Sequence, residues 1–596
     1  MKPRSDNWAQ VPNLVTLLLY IYSLWGFVVA QPIYSDLFND GGFFRWYQNT
    51  ASDIAIALLV LSFLLPGLII LFLWLLSRLS SAFTVKLCNI LITILLGGFF
   101  LLCLRGLPNM PYLLKSLIAL ICGAWLTRVL WHNKEREFLL YFFAAGAFMF
   151  PFWFWLVCPI TTPFQPHYQI RLLSNSSNTE SLSPIVMIIF DELPLTSLLD
   201  KHGQIDPVHY PNFSALARNA TWYPNAVTVH SITRGAVPAI LTGKYPTAWL
   251  NWSSLLSGHY EYTCTNPLPT SRDFPNTLFN LLEKSYALQV YESRIYLCNA
   301  ASCVKHRLAQ PTRHRLKRMF SKITEEYFFR ILFNSEDLYK FSSSFNEAGE
   351  EIDQKAELDD SPVSHDYDLN LFHQLLQAIH KPERWEKKPT FYFIHPILPH
   401  SPWEYYPSGK RYSFWNLINP ATDVLCQISP SLLYCKNSAF PAPLYKRHLL
   451  QVEYVDNLLG QVISKLKATQ LYDRSLIVVV ADHGISFKAY EPRRKISREN
   501  YAAIMSIPLL IKKPGQVIGK VDNQQAETVD IVPTIAGLLH LPLAWHTDGR
   551  DLFIPLQTDR TSHSICSPNI KLHFSLEKIE DEKRKELQEK EILFPE

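Results

Sequence analysis

The chain predicts an N-terminal α-helical transmembrane bundle followed by an α/β sandwich with a mostly parallel central sheet. Residues 1–158 are rich in Leu, Ile, Phe and Trp and poor in charge, whereas the remainder has ordinary globular composition. In that remainder, short runs of β-branched and aromatic residues alternate with stretches of helical periodicity, the pattern of a sheet covered on both faces. A length of 596 residues also demands more than one folding unit.

Within the first part, apolar stretches run over about residues 12–33, 54–77, 87–104, 110–131 and 138–157. Most approach the ~20 residues that a helix needs to cross a bilayer. The stretch 110–131 carries Lys115 and Arg128, which must snorkel if it spans. With all of them crossing, Lys2, Arg4, Arg78, Lys86, Arg128, Lys134 and Arg136 fall on one side, against Arg45 and Arg105 on the other. The positive-inside bias then puts the N-terminus in the cytoplasm. An odd number of spans delivers everything after Cys158 to the opposite face of a plasma or inner membrane. The first apolar run is long and lacks a small-x-small cleavage site, which argues against a cleaved signal peptide. The formal charge of +4 averages the apolar and the polar parts and gives no nucleic-acid reading.

Cysteine usage fits this division. Cys88, Cys103, Cys122 and Cys158 belong to the apolar part, where a thiol acts as a small hydrophobe. Cys264, Cys298, Cys303, Cys426, Cys435 and Cys566 form an even set in the exported part, able to pair in an oxidising compartment. The close spacing of Cys426 and Cys435 suits either a locally closed loop or a pair of thiols.

After a linker at about 159–183, Pro184 to Phe190 reads as a buried parallel strand, and residues 390–394, 475–481 and 507–512 read likewise. Between them, Leu449, Val452, Val455, Leu459, Val462 and Leu466 recur at three- and four-residue steps, a helix facing a core. The expected domains are therefore a membrane part over 1–158, the linker, a catalytic domain over 184–555 and a C-terminal extension over 556–596. Residues 334–365 are acidic and Ser-rich and read as a surface loop or insertion. The tail from Ser575, dense in Glu and Lys, reads as a solvated helix.

Ligands of open α/β sheets bind beyond the carboxyl ends of the strands, and two acidic motifs stand at such ends. Asp191 and Glu192 follow the first strand, and adjacent carboxylates need a cation or hydrogen bonds between them. Strand-end acids also cap helices, so this pair alone leaves both roles open. Asp482-His483-Gly484 follows the third strand, and an acid with an imidazole suits Zn²⁺ or Mn²⁺, with Mg²⁺ or Ca²⁺ favoured only if His483 stays out of the shell. A hydroxyl ahead of a helical run, with Thr233 before Arg234 to Leu241, completes the parts of a metal-activated nucleophile.

With the run Val227 to Pro246, the motif Val478-Val-Val-Ala-Asp482-His483-Gly484, and the segments Tyr454 to Gly460, Ile507 to Gln516, Val529 to Thr534 and Asp548 to Leu552, the chain resembles the sulfatase and alkaline phosphatase superfamily. The resemblance covers roughly residues 184–555. It implies the alkaline-phosphatase-like sandwich and a metal held by Asp191, Asp482 and His483, with Glu192 as an alternative or second ligand and Thr233 as the coordinated nucleophile. Counting back from Leu241-Thr242-Gly243, Thr233 occupies the place that sulfatases fill with a modified Cys or Ser. Their Cys/Ser-x-Pro-x-Arg context is missing, since the chain reads Thr233-Arg-Gly-Ala-Val237. A threonine at this position is what phosphoethanolamine transferases and lipoteichoic acid synthases use, and both are polytopic membrane proteins with exported catalytic domains. Ser231 and Thr228 are the fallback hydroxyls.

The segment Phe393-Ile-His395-Pro-Ile-Leu-Pro-His400 resembles the family's substrate-binding segment. It implies that His400 contacts the transferred group or protonates the leaving oxygen, and that His395 is a substrate contact or a core histidine. Arg494, in the basic run Arg493-Arg494-Lys495, is a candidate grip for an anionic head group, with a solvated loop as its other reading. No Asp-x-x-x-His element for a second zinc is found, so one divalent metal ion is expected.

These parts predict in-line attack of Thr233 on phosphorus, a phospho-threonine, and its resolution by a second acceptor. The expected partners are membrane lipids or lipid-linked glycans, with no nucleic acid. Two other readings stand beside a head-group transferase: a sulfuric or phosphoric ester hydrolase, and a non-catalytic membrane scaffold that keeps the fold.

Overall fold

The computed structural model describes residues 14–39, 49–104, 112–131, 137–157, 182–246, 249–250, 262–263, 274, 276–292, 297–298, 303–305, 313, 316, 319–320, 323, 366–382, 388–401, 403–411, 442–491, 493–494, 496–555, 562–567 and 570–593. The linker at 159–181, the acidic stretch 334–365 and the pair Cys426 and Cys435 lie outside the described residues. The chain forms two units, one of Met1–Pro166 with Ala309–Ala356, the other of His167–Leu308 with Glu357–Glu596.

The first unit is helical at each of the predicted apolar stretches. Among the described residues, Ala51–Leu79 and Ala82–Leu104 are long and apolar enough to cross a membrane. The helix Ser81–Leu104 packs on Tyr112–Trp131 through glycine, because a Cβ on Gly123 would lie 2.7 Å from the Gly97 nitrogen and 2.8 Å from the Thr93 carbonyl oxygen. Close backbone approach of this kind is how helices adhere where no water is squeezed out between them. Two π-helical turns, Gly26–Ala30 and Val60–Leu64, interrupt the α-helical ladder. Carbonyls near the second turn accept side-chain hydrogen bonds, Leu61 from Trp25 Nε1 at 2.7 Å and Phe63 from the Tyr22 hydroxyl at 3.1 Å. Residues Ala309–Ala356 group with this unit. Met319 and Ile323 are buried with Val28, Ile33, Ile54 and Phe154 of this unit, with Leu316 and Phe320 packed beside them.

The second unit is built on an eight-stranded sheet: β1 (Ile185–Phe190), β2 (Thr221–Trp222), β3 (Ala287–Glu292), β4 (Cys303–Lys305), β5 (Thr390–His395), β6 (Leu476–Ala481), β7 (Leu509–Lys512) and β8 (Lys520–Val521). Their order is β8-β2-β7-β6-β1-β5-β3-β4. Strands β6, β1, β5, β3 and β4 are parallel, as expected. The run 507–512 does form a strand, but β7 is antiparallel to both neighbours, a correction to the sequence expectation. A central strand covered on both faces has the same composition in either direction. Its direction comes from the connection, which returns from the end of β6 through the short helix Tyr501–Met505 with no long crossover helix.

The same unit holds helices α1 (Pro211–Ala217), α2 (Thr233–Thr242), α3 (Ala442–Ala468) and α4 (Leu576–Leu593). Val452, Val455, Leu459, Val462 and Leu466 of α3 are all buried, the stripe its periodicity predicts. From α3, the Asp456 carboxylate accepts from the Asn212 and Phe213 backbone N–H groups at 3.0 and 2.8 Å, closing the open N-terminus of α1. The C-terminal helix is not simply solvated. Ile579 of α4 is buried with Tyr501 and Phe574, and the Lys590 ammonium donates to the carbonyls of Thr196, Ser197 and Leu199 at 3.3, 3.0 and 2.8 Å. A few apolar residues and one snorkelling lysine hold one stripe of an otherwise charged helix. Cys298 is disulfide-bonded, and Cys88, Cys103 and Cys122 are free thiols.

Candidate active site

Strand register assembles the acidic residues. Phe190 pairs with Ala481, so Asp191 and Asp482 emerge side by side from β1 and β6. Glu292 pairs with His395, which places both at the ends of β3 and β5 on the same edge. The loop after β5 folds back over this edge, where the Asp191 N–H donates to the Leu398 carbonyl at 3.2 Å and the Asp482 N–H to that of Phe190 at 3.0 Å. Asp191, Asp482 and His395 each offer a ligand atom, all within 4.8 Å of one another.

Thr233 is the first residue of α2, after Ile232, whose side chain makes no capping bond. The preceding loop packs tightly on the first turn: a Cβ on Gly235 would sit 2.4 Å from the His230 ring. The Thr233 hydroxyl reaches Asp191 Oδ1 at 3.4 Å and His483 Nε2 at 3.4 Å. It also sits at the positive end of the helix dipole, which favours an ionised oxygen. The fallback Thr228 instead donates its hydroxyl to the His230 carbonyl at 3.1 Å, and Ser231 is fully buried in the same loop.

His483 Nδ1 donates to the Gly484 carbonyl at 2.9 Å, which fixes the tautomer and turns the Nε2 lone pair toward Asp482 Oδ2 at 3.5 Å and Asp191 Oδ1 at 3.9 Å. Burial pushes the Asp482 carboxyl up to about 7. Burial, reinforced by the Arg494 guanidinium, pushes His483 down to about 3. Two buried carboxylates, a neutral imidazole with its lone pair inward and a hydroxyl thus converge at 3.4 to 3.9 Å. Ligands on bonds of about 2.0–2.2 Å around a tetrahedral ion lie roughly 3.3–3.6 Å apart. The donor set therefore fits one divalent cation, which would also compensate the crowded negative charge.

A second layer adjoins this set. Glu192 stands in the left-handed region at φ 56°, unusual for a non-glycine residue, and its N–H donates to Asp482 Oδ1 at 3.2 Å. Its carboxylate pairs with Arg494 Nε at 2.7 Å and faces His400 Nε2 at 3.5 Å. His400 Nδ1 donates to the Ser401 carbonyl at 2.5 Å, and the Gln451 amide donates to the carbonyls of Pro399 and His400, each at 3.0 Å. Arg494 also lies 3.5 Å from His483 Nε2. All the sequence-predicted residues come together: Asp191, Glu192, Thr233, His395, His400, Asp482, His483 and Arg494. Glu292 and the helix-borne Gln451 are additions. Only the pairing of β3 with β5 brings Glu292 in, and no local motif marks either residue.

The sulfatase family model matches residues 185–541, more than half of the chain. The chain belongs to the sulfatase family. The chain is similar to an endo-4-O-sulfatase of Bacteroides thetaiotaomicron, at 27% identity over 30% of this chain and 34% of that protein. It is also similar to human arylsulfatase K, at 30% identity over 18% of this chain and 20% of that one. A third relative is the multifunctional alkaline phosphatase superfamily protein PehA of Trinickia caryophylli, at 33% identity over 16% of this chain and 19% of that one. The matches thus span about a third or less of these relatives. Among solved structures, the phosphonate monoester hydrolase of Agrobacterium radiobacter aligns at a TM-score of 0.39 and 16% identity, over 64% of this chain and 80% of that one. A putative sulfatase from Bacteroides thetaiotaomicron aligns at 0.43 and 14% identity, over 69% and 90%.

Proposed function

We propose that this sulfatase-family protein is a membrane-anchored, metal-dependent enzyme that transfers a phospho-head-group from a lipid donor to a lipid or glycan acceptor through a phospho-threonine on Thr233. The observation that carries this reading is the Thr233 hydroxyl, 3.4 Å from both Asp191 and His483, at the place where a sulfatase needs an oxidisable Cys or Ser. A threonine cannot form the aldehyde of that maturation, but it can act as a directly activated alkoxide.

Asp191, Asp482, His483 and Thr233 would hold the ion, with Glu192 beside them. When bound, a divalent ion lowers the pKa of the threonine hydroxyl and draws charge from the oxygens of the transferred group. The chain's own residues do the rest. Thr233 Oγ forms the bond to phosphorus as the P–O bond to the leaving alcohol breaks, helped by the dipole of α2. Arg494, held by Glu192, offers its guanidinium to the anionic group. His400 delivers a proton to the leaving oxygen, then takes one from the incoming acceptor hydroxyl as that oxygen bonds to phosphorus and the P–Oγ bond breaks, which returns Thr233 to its free form.

Membrane anchorage is supported by Ala51–Leu79 and Ala82–Leu104, whose apolar windows are only 33% and 28% buried inside the protein. The core helix of a soluble protein would bury most of such a surface. Crossing at all the helical stretches, with the Lys/Arg bias, puts the catalytic unit on the non-cytoplasmic side. An anchored site stays within reach of lipid head groups. A second reading, hydrolysis of a sulfuric or phosphoric ester, is favoured by the names of the relatives. The two separate in one experiment: the purified full chain is given a head-group-labelled phospholipid, with and without a lipid acceptor. Acceptor-dependent turnover and label on a Thr233 peptide support transfer, whereas equal release into water, or turnover of sulfate esters alone, supports hydrolysis.

A further inference from the structure

Four adjacent parallel strands each end on a titratable residue: Asp482 after β6, Asp191 after β1, His395 at the end of β5 and Glu292 at the end of β3. The first two belong to the proposed ion site. His395 is 0% exposed and Glu292 is 7% exposed, so neither is placed to sample solvent. One ring nitrogen of His395 lies with the carboxylate oxygens of Asp191 and Asp482 inside 4.8 Å. Two ligands of one ion stand at most about two bond lengths apart, roughly 4.0–4.6 Å at the distances usual for Zn²⁺ and Mn²⁺. The 4.8 Å bound lies above that limit and above the roughly 3.3–3.6 Å of a tetrahedral shell, so the three side chains would have to close on the ion as it binds. Glu292 Oε1 lies 3.8 Å from His395 Nδ1, near enough that a small shift would form the hydrogen bond by which a carboxylate orients a ligand histidine.

We propose that His395 is a further ligand of the metal ion, positioned by Glu292, rather than a contact to the substrate. The inference rests on the metal reading of Asp191, Asp482 and His483. A histidine on β5 gives the shell a ligand from a third strand and ties the strand order β6-β1-β5 to the ion. It also makes the site richer in nitrogen, which favours Zn²⁺, Mn²⁺ or Co²⁺ over Mg²⁺ and Ca²⁺.

The test uses the full chain in detergent with Co²⁺ as the probe, read by its visible d–d absorption and by competition with a chelator. His395→Gln is expected to raise the Co²⁺ dissociation constant by about 10–100-fold and to change the d–d band, and Glu292→Gln to weaken binding less, with a smaller change in the band. Glu292→Gln is close to isosteric and keeps the test open should His395→Gln not fold. Wild-type affinity and an unaltered band in both variants would overturn the proposal, and a raised KM alongside them would return His395 to the substrate. Absence of Co²⁺ binding by the unmodified protein overturns the ion site itself. Loss of binding in Asp482→Ala with retention in His395→Gln overturns only the role of His395.

Discussion

Two regions of the catalytic unit bury a histidine against a hydroxyl, and they differ in the groups that surround the pair. At the strand edge, His483 Nε2 lies 3.4 Å from the Thr233 hydroxyl, with Asp191 and Asp482 beside it. Between α3 and the short helix Leu195–Leu198, His448 Nε2 lies closer still to a hydroxyl, 3.0 Å from Ser197 Oγ. Both histidines are fully buried, and burial pushes both down to about 3. By pairwise distance alone, His448 with Ser197 is the better dyad. Its surroundings are aromatic, though: Phe487 at 5.1 Å, Trp403 at 5.9 Å and Tyr445 at 6.3 Å between ring centres. A carboxylate cluster at converging strand ends can hold a metal ion and charge that changes during a reaction, whereas the rings around His448 and the Lys590 ammonium that acts on it offer no such ligand set. The difference teaches that a site is marked by its convergent charges, while burial and a short hydrogen bond also describe ordinary packing.

Exchanging the hydroxyls is the strongest way to break the comparison. Thr233→Ala is expected to lower turnover of an aryl phosphodiester by roughly 10³-fold or more, because a nucleophile is lost, with Thr233→Ser retaining a measurable fraction. Ser197→Ala should leave turnover within about twofold and cost about 1 kcal/mol of stability, the worth of one buried hydrogen bond. Equal activity loss in the two alanine variants, measured by initial rates, would erase the distinction.

Removing imidazoles gives the next largest effect. Chelation should abolish activity and strip about one equivalent of metal per chain, and the Asp482→Ala, His483→Ala double variant should bind none by elemental analysis. His448→Gln should keep its full metal content. Metal retained in the double variant would send the ion elsewhere.

Much of the strand edge was legible because Asp191 and Asp482-His483 follow apolar runs whose direction in a parallel sheet is fixed by the crossover rule, so their ends must meet. Thr233 was singled out by the family resemblance, as the residue at the place that sulfatases fill with a modified Cys or Ser, and the fold sets it beside the same strand edge. The antiparallel sense of β7 was not legible, since burial on both faces removes the alternation that would betray it. Glu292 was hidden for a different reason: Ala287–Glu292 alternates only weakly, and its end acquires meaning through pairing with β5, a long-range fact. The return of Met319 and Ile323 to the first unit was hidden likewise, as four apolar residues among basic ones resemble any amphipathic turn.

Acid stability sharpens the comparison by a smaller amount. His448 holds a pKa of about 3 in the folded protein against 6.5 for the ordinary group. Below pH 6.5 the unfolded chain takes up a proton that the folded chain refuses, so the unfolded state binds more protons and stability falls as pH falls. The contribution is complete above about pH 6.5 and is lost toward pH 3, at up to roughly 1.4 kcal/mol per pH unit. His448→Gln should flatten the slope of melting temperature against pH over that window, measured in metal-loaded protein. An unchanged slope would mean that His448 titrates freely and that the aromatic box is open to water.

The smallest expected effect comes from two neighbouring arginines that the fold divides between the two regions. Arg494 Nε pairs with Glu192 at 2.7 Å in the active site, whereas the Arg493 guanidinium stands 5.8 Å from the centre of the Trp403 ring, on the wall of the His448 box. Successive side chains on an irregular loop diverge, so Arg494 faces Glu192 and the proposed anion site while Arg493 packs on Trp403. Arg494→Lys keeps the charge but loses the planar fork that spans Glu192 and the ligand, and should raise KM for an anionic substrate about tenfold. Arg493→Lys keeps the charge and most of the cation–π attraction, so KM should not move, and the melting temperature should drop by no more than about 2–4 °C, the equivalent of roughly 1 kcal/mol. The reverse pattern, with KM following Arg493 and stability following Arg494, would place the anion grip one residue earlier and join the aromatic box to the active site.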